Sequence, residues 1–129
     1  GGRSGFHIER VAINVDDATL PDNAGQQPHN RPVLPGAPAA YFSSLPLHAV
    51  VDGLRAQGLP AEVSNSAGTF VCNHVFYRLM HALATEPYMQ GTRGGFVHVP
   101  WLPEQGSPGM ALADVVRGLQ VVVEVSLEG

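Results

Sequence analysis

PAEVSNSAGTFVCNHVFYRLMHALA, residues 60–84, passes from a strand-like run straight into a helix-like one. PAEVSNS (60–66) is short, ends in turn-forming polar residues and reads as a strand. GTFVCNHVFYRLMHALA (68–84) spaces Phe76, Leu79, Met80 and Leu83 three and four apart, which predicts a helix with those residues on its buried side. Cys72, the single cysteine of the chain, then falls in the first turn of a helix that follows a strand.

The same alternation runs outward in both directions. Upstream, HIERVAINV (7–15) reads as a strand, with Glu9, Val11, Ile13 and Val15 on one face and Ile8, Arg10, Ala12 and Asn14 on the other. DDATLPDNAGQQPHNRPVLPGAP (16–38) is dense in Pro, Gly, Asn and Asp and reads as a long loop. SSLPLHAVVDGLRAQG (43–58) predicts a helix capped by Ser44, with Pro46 in its first turn and Gly58 at its end. Its apolar stripe is Leu47, Val50, Val51 and Leu54. Downstream, GGFVHVPWL (94–102) reads as a strand. Residues 109–129 read as a helix, with apolar positions at 112, 115, 116, 119, 122 and 123. Strands alternating with helices predict an α/β fold with a mostly parallel sheet covered on both faces. The 129 residues suit a single domain with one core.

Composition narrows the function classes. Charged residues are sparse and the net charge is −4, which argues against a nucleic-acid surface. No long uninterrupted apolar run suggests a membrane span. One cysteine permits no internal disulfide and fits a reducing, cytoplasmic setting. The opening GGRSGFHIERVAINV has no initiating Met and no basic-then-apolar leader, and reaches a strand almost at once. A fragment or processed product is the expectation.

Position makes Cys72 a candidate nucleophile. Open α/β sheets bind ligands at the carboxyl ends of their strands, and a helix N-terminus favours a thiolate. The competing reading is a small buried hydrophobe. His74 cannot serve it as base, because two residues along a helix are roughly 200° apart. His81 fails in the same way. The same geometry removes a Cys72–His74 metal pair, and no CxxC or HxxxH spacing occurs. His74 reads as a helix-face residue. His98, near the carboxyl end of the strand after the Cys helix, is the better candidate base. His7, His29 and His48 are less constrained. A third group orienting the imidazole could be Glu9, an odd opening for an apolar strand face. Asp16 and Asp17 are its rivals.

Together these blocks resemble the pyroglutamyl peptidase I, or pyrrolidone carboxyl peptidase, family. The resemblance rests on ERVAIN (9–14), PDNAGQQP (21–28), GAPAAYFSSLP (36–46), SNSAGTFVCNH (64–74) and GGFVHVPWLPEQ (94–105). It covers nearly the whole chain. It implies a three-layer α/β/α sandwich and a cytosolic cysteine peptidase that removes N-terminal pyroglutamate from peptides through a thioester. It also implies a homotetramer and no metal or organic cofactor. Carried over by motif, Cys72 is the nucleophile, His98 the base and Glu9 its orienting carboxylate. Leu20, Phe70 and Val71 belong to the pyroglutamyl pocket. Thr19 stands where family members often carry an Arg, which leaves backbone amides near Cys72 to hold the oxyanion. The family's leading strand and its TGFxPFxG-like loop, which clasps the pyrrolidone ring, precede the segment matched here. A poor or inactive peptidase is therefore the expectation for these residues alone. The alternative is a catalytically incompetent fragment acting as a binding or assembly module.

Overall fold

The computed structural model describes residues 4–128 and contains five strands and three α-helices among them. The start of the chain at GGR and the end of the last expected helix at residue 129 lie outside the described residues. Its contacts cluster into two units, one comprising the chain up to Glu9, Leu45–Ser64 and the chain from Phe96, the other Arg10–Ser44 and Asn65–Gly95.

In the first unit, β1 (Phe6–Glu9) is central to a three-stranded sheet of order β4-β1-β5. It pairs in parallel with β4 (Ala61–Ser64), Ile8 opposite Val63, as expected of strands linked through a helix. It pairs antiparallel with β5 (Val97–His98), His7 opposite His98. β5 is far shorter than the expected 94–102 strand. Pro100 and Pro103 have no N–H to give a ladder, so pairing stops after two residues.

α1 (Leu47–Ala56) begins two residues later than a cap at Ser44 would start it, with Pro46 as its N-cap and no side-chain cap bond. Its end is as the sequence reads. Gly58, at φ +76°, donates to Arg55 O, and Leu59 N–H donates back to Leu54 O, closing a Schellman turn that needs the left-handed conformation. α3 (Leu112–Glu128) is one continuous helix. Phe6 and Ile8, two apart and so on one face of β1, meet Val50, Val51, Leu54, Leu59 and Val122 in the core. α3 approaches this core most closely at Gly118, where a Cβ would overlap the ring of Phe6.

In the second unit, β2 (Val11–Ile13) pairs antiparallel with β3 (Ala40–Phe42). The stretch read as one strand, 7–15, is thus two strands in two sheets, broken at Arg10. Ser44, expected to cap α1, instead accepts from Gly94 N–H at 2.8 Å. α2 (Val71–Thr85) buries Asn73, Phe76, Tyr77 and Met80. Leu79, expected inside, is exposed. The buried face is therefore rotated from the 76/79/80/83 reading by the amide of Asn73, which finds backbone partners. The 16–38 loop is heavily bonded. Asn14 holds Leu34 in both directions, Asp16 and Arg31 exchange backbone bonds, and Asp22 Oδ1 accepts from Ala24 and Gln26 N–H.

Candidate active site

Glu9 and His98 meet within the first unit. His7 and His98 lie opposite each other in the β1–β5 pair, and Glu9 is two residues beyond His7, so all three project from one face of the sheet. Phe6 and Ile8 occupy the opposite, core-packed face. His98 Nδ1 lies 2.8 Å from Glu9 Oε1, with the carboxylate fully buried and the imidazole nearly so. A buried carboxylate this close fixes the ring orientation and favours the tautomer that carries its proton on Nδ1. Phe96 packs edge-on against the imidazole, ring centres 5.1 Å apart. The neighbouring His7 turns to Glu62, 3.3 Å away.

Cys72 lies in the second unit, partly buried, in the first turn of α2. Phe70 caps this helix without a side-chain bond. His74 N–H donates to Phe70 O at 2.7 Å, so the amides of Val71, Cys72 and Asn73 precede the first intrahelical bond. The turn is gripped on both sides of the thiol. Before it, Thr69 Oγ1 donates to Asp17 O at 2.6 Å, and Asp17 N–H donates to Thr69 O at 2.7 Å. After it, Asn73 Oδ1 accepts from Ile13 N–H at 2.9 Å while its Nδ2 donates to Ile13 O at 2.8 Å and to Val15 O at 3.2 Å. His74 Nδ1 sits 3.0 Å from Asp16 Oδ2.

His74 is engaged with Asp16, and Asp16 is thereby the partner of His74 rather than of His98. Asp17 supports the loop, accepting from Asn30 N–H at 3.1 Å. His81 bonds Tyr41, 2.8 Å away, beside Tyr77. Burial, with a smaller contribution from Tyr41, raises the pKa of Tyr77 above the ordinary value of 10.0. Its hydroxyl donates to Pro38 O at 2.6 Å.

Leu20, expected from the segment before PDN, and Phe70 and Val71, expected from the segment before Cys72, line one cavity of about 360 Å³ together with Thr19 and Thr69. Leu20 and Val71 are both exposed there. What the sequence reading missed is the grip on the thiol's turn. Its signal was available as Asn73, a polar residue at the head of a 73/76/77/80 buried stripe with helical spacing. Among the described residues no group of three His, Cys, Asp or Glu side chains is placed to hold a metal ion. No described helix is long and apolar enough to cross a membrane.

Known proteins resemble this chain over nearly all of its length. A family model described as pyroglutamyl peptidase matches residues 1–129. The chain is 57% identical to a pyrrolidone-carboxylate peptidase of Erwinia tasmaniensis, covering 98% of this chain and 60% of that protein. Against a pyrrolidone-carboxylate peptidase of Bacillus cytotoxicus it is 53% identical, covering 99% and 61%. Among solved structures it superposes on pyroglutamyl peptidase I of Bacillus amyloliquefaciens with a TM-score of 0.93 at 40% identity, covering all of this chain and 64% of that one. A variant pyrrolidone carboxyl peptidase of the hyperthermophile Pyrococcus furiosus gives 0.91 at 42% identity, over 98% and 64%. The chain spans about three fifths of the length of its curated relatives, and with identity above half across that span it belongs to the pyroglutamyl peptidase family.

Proposed function

We propose that this chain carries the catalytic residues of a cysteine peptidase that removes N-terminal pyroglutamate from peptides. The observation that carries the reading is the buried Glu9–His98 pair, 2.8 Å apart. A charged carboxylate is costly to bury alone, and here it is spent on an imidazole at the end of a strand. With Nδ1–H directed to Glu9, the proton-accepting nitrogen of His98 is Nε2.

In the proposed reaction His98 takes the proton of Cys72, and the thiolate attacks the pyroglutamyl carbonyl. The amides at the start of α2 receive the developing oxyanion, since they precede the first intrahelical bond and lie at the positive end of the helix. The imidazolium, stabilised by Glu9, protonates the leaving amine. Water then hydrolyses the thioester and returns the proton to His98. The slot of Leu20, Phe70 and Val71 suits an uncharged lactam ring, because pyroglutamate has no free amine to pair. Peptides with N-terminal pyroglutamate are thus the proposed partners, and no metal or organic cofactor enters any step.

A cytoplasmic setting fits a lone thiol kept reduced. Self-association, as the tetramer of the family resemblance implies, fits the apolar side chains exposed along α3. The test of the activity is hydrolysis of a pyroglutamyl arylamide by the full-length protein. Cys72→Ala is expected to lower kcat roughly 10⁴-fold or more with the circular dichroism spectrum unchanged. Retained turnover by that variant removes Cys72 from the mechanism.

A further inference from the structure

Cys72 has no side-chain device of its own to fix its position, and the residue after it has one. Asn73 is among the largest fully buried side chains, only 1% exposed, and all of its amide is used. Its Oδ1 and Nδ2 bond the N–H and C=O of the same residue, Ile13, and Nδ2 reaches Val15 O as well. A primary amide set against one residue's N–H and C=O reproduces the pairing that a neighbouring strand would supply. The first turn of α2 is therefore registered to β2 as if it were the next strand. Because the side chain of the very next residue does this, the register passes through one planar peptide to the thiol-bearing Cα.

We infer that Asn73 is a positioning residue for the proposed nucleophile: its amide sets the place of Cys72 against β2 and so determines turnover rather than substrate binding. The inference rests on the reading of Cys72 as nucleophile. Its physical basis is the steep dependence of nucleophilic attack on placement, where a shift of about 1 Å costs on the order of 10²-fold in rate. Binding in the Leu20, Phe70 and Val71 slot does not use Asn73, so the loss falls on kcat. The energetics are asymmetric. Asn73→Ala leaves Ile13 N–H and two carbonyls to seek other partners. Asn73→Asp preserves the size and the acceptor for Ile13 N–H, but turns the two donor contacts into a carboxylate oxygen facing Ile13 O and Val15 O.

The experiment uses the full-length protein and a pyroglutamyl arylamide, with rates expressed per folded molecule, the folded fraction being measured by circular dichroism and urea unfolding. The expected result is a 10- to 100-fold loss of kcat in Asn73→Ala and at least as large a loss in Asn73→Asp, with KM within threefold of the unaltered protein. A second measurement needs no substitution. If Asn73 couples the thiol to β2, then fixing the thiol must tighten the clamp in return. Capture of Cys72 by a pyroglutamyl aldehyde as a hemithioacetal is expected to slow hydrogen exchange at the Ile13 amide at least threefold. A kcat within threefold of normal in either variant overturns the assignment, as does an Ile13 exchange rate that capture leaves unchanged. Failure of the unaltered protein to cleave the arylamide or to be captured by the aldehyde defeats the reading of Cys72 itself, a separate outcome.

Discussion

At the scale of single residues, the Glu9–His98 pair makes the sharpest demand. Its carboxylate is wholly buried, so its charge must be used locally. Glu9→Gln leaves an oxygen to accept from Nδ1–H but withdraws the charge that stabilises imidazolium. Its kcat on a pyroglutamyl arylamide is expected to fall roughly 10²-fold, less than in His98→Ala, which removes the proposed base. Equal losses in the two variants, or none in His98→Ala, contradict the assigned roles. Tyr77 gives a second test, of stability alone. Its pKa is raised in the folded protein, chiefly by burial and then by Tyr41. A phenol that ionises more readily unfolded than folded contributes stability that is complete below pH ~10, its unfolded pKa. That contribution is lost as pH rises through the folded value. Thermal unfolding followed from pH 8 to 11.5 is expected to show a Tm that falls steeply above pH ~10. Tyr77→Phe is expected to flatten that fall while lowering Tm at pH 8, because Pro38 O loses its donor. An unchanged alkaline slope in Tyr77→Phe rules out the phenol as its source.

At the scale of elements, the sequence was most legible where one pattern had one meaning. α1 has a single apolar stripe, and Val50, Val51 and Leu54 are buried as read. α3 was less legible because two of its faces carry helical spacing. Val115, Gly118 and Val122 face inward, whereas Leu112, Val116, Leu119 and Val123 are exposed. Hydrophobic periodicity alone does not choose between them. Gly118 chooses, because only the face with room for Phe6 can close on β1. Gly118→Ala is accordingly expected to destabilise by about 1–3 kcal/mol, although alanine is the better helix former. Urea unfolding measures it, and a stabilised variant contradicts the packing. β3 was missed because AYF is three residues long at the end of a Pro-rich loop, too short for alternation to register. The break at Arg10 was missed because both halves of 7–15 are strands, and only pairing partners distinguish one strand from two. The pairing of Glu9 with His98 was expected from the sequence, and the two lie 2.8 Å apart. Asn73 was hidden because its partners are backbone atoms nearly sixty residues away, which side-chain patterns do not encode.

At the scale of the whole molecule, the exposed stripe of α3 has a measurable effect. Leu112, Val116, Leu119, Val123 and Leu127 recur at intervals of three and four and leave an apolar face open to water. Val116→Lys combined with Val123→Lys is expected to shift sedimentation toward smaller species and to leave Tm within a few degrees. Unchanged association in that double variant removes the stripe from assembly. The stretch from Glu9 to Asp17 has a consequence of another kind. Within nine residues the backbone contributes the carboxylate bonded to His98 and, four positions on, the strand atoms that grip the turn of Cys72. The exposed turn closed by Asp22 can absorb an added or lost codon at little cost. Within β2 a single codon gained or lost shifts Ile13 away from the Asn73 amide and reverses the faces of the strand positions that follow it in β2. In this gene, therefore, the tolerance for insertion and deletion changes from generous to nil within a dozen codons, and one frame-preserving slip inside β2 undoes the grip on the turn of Cys72.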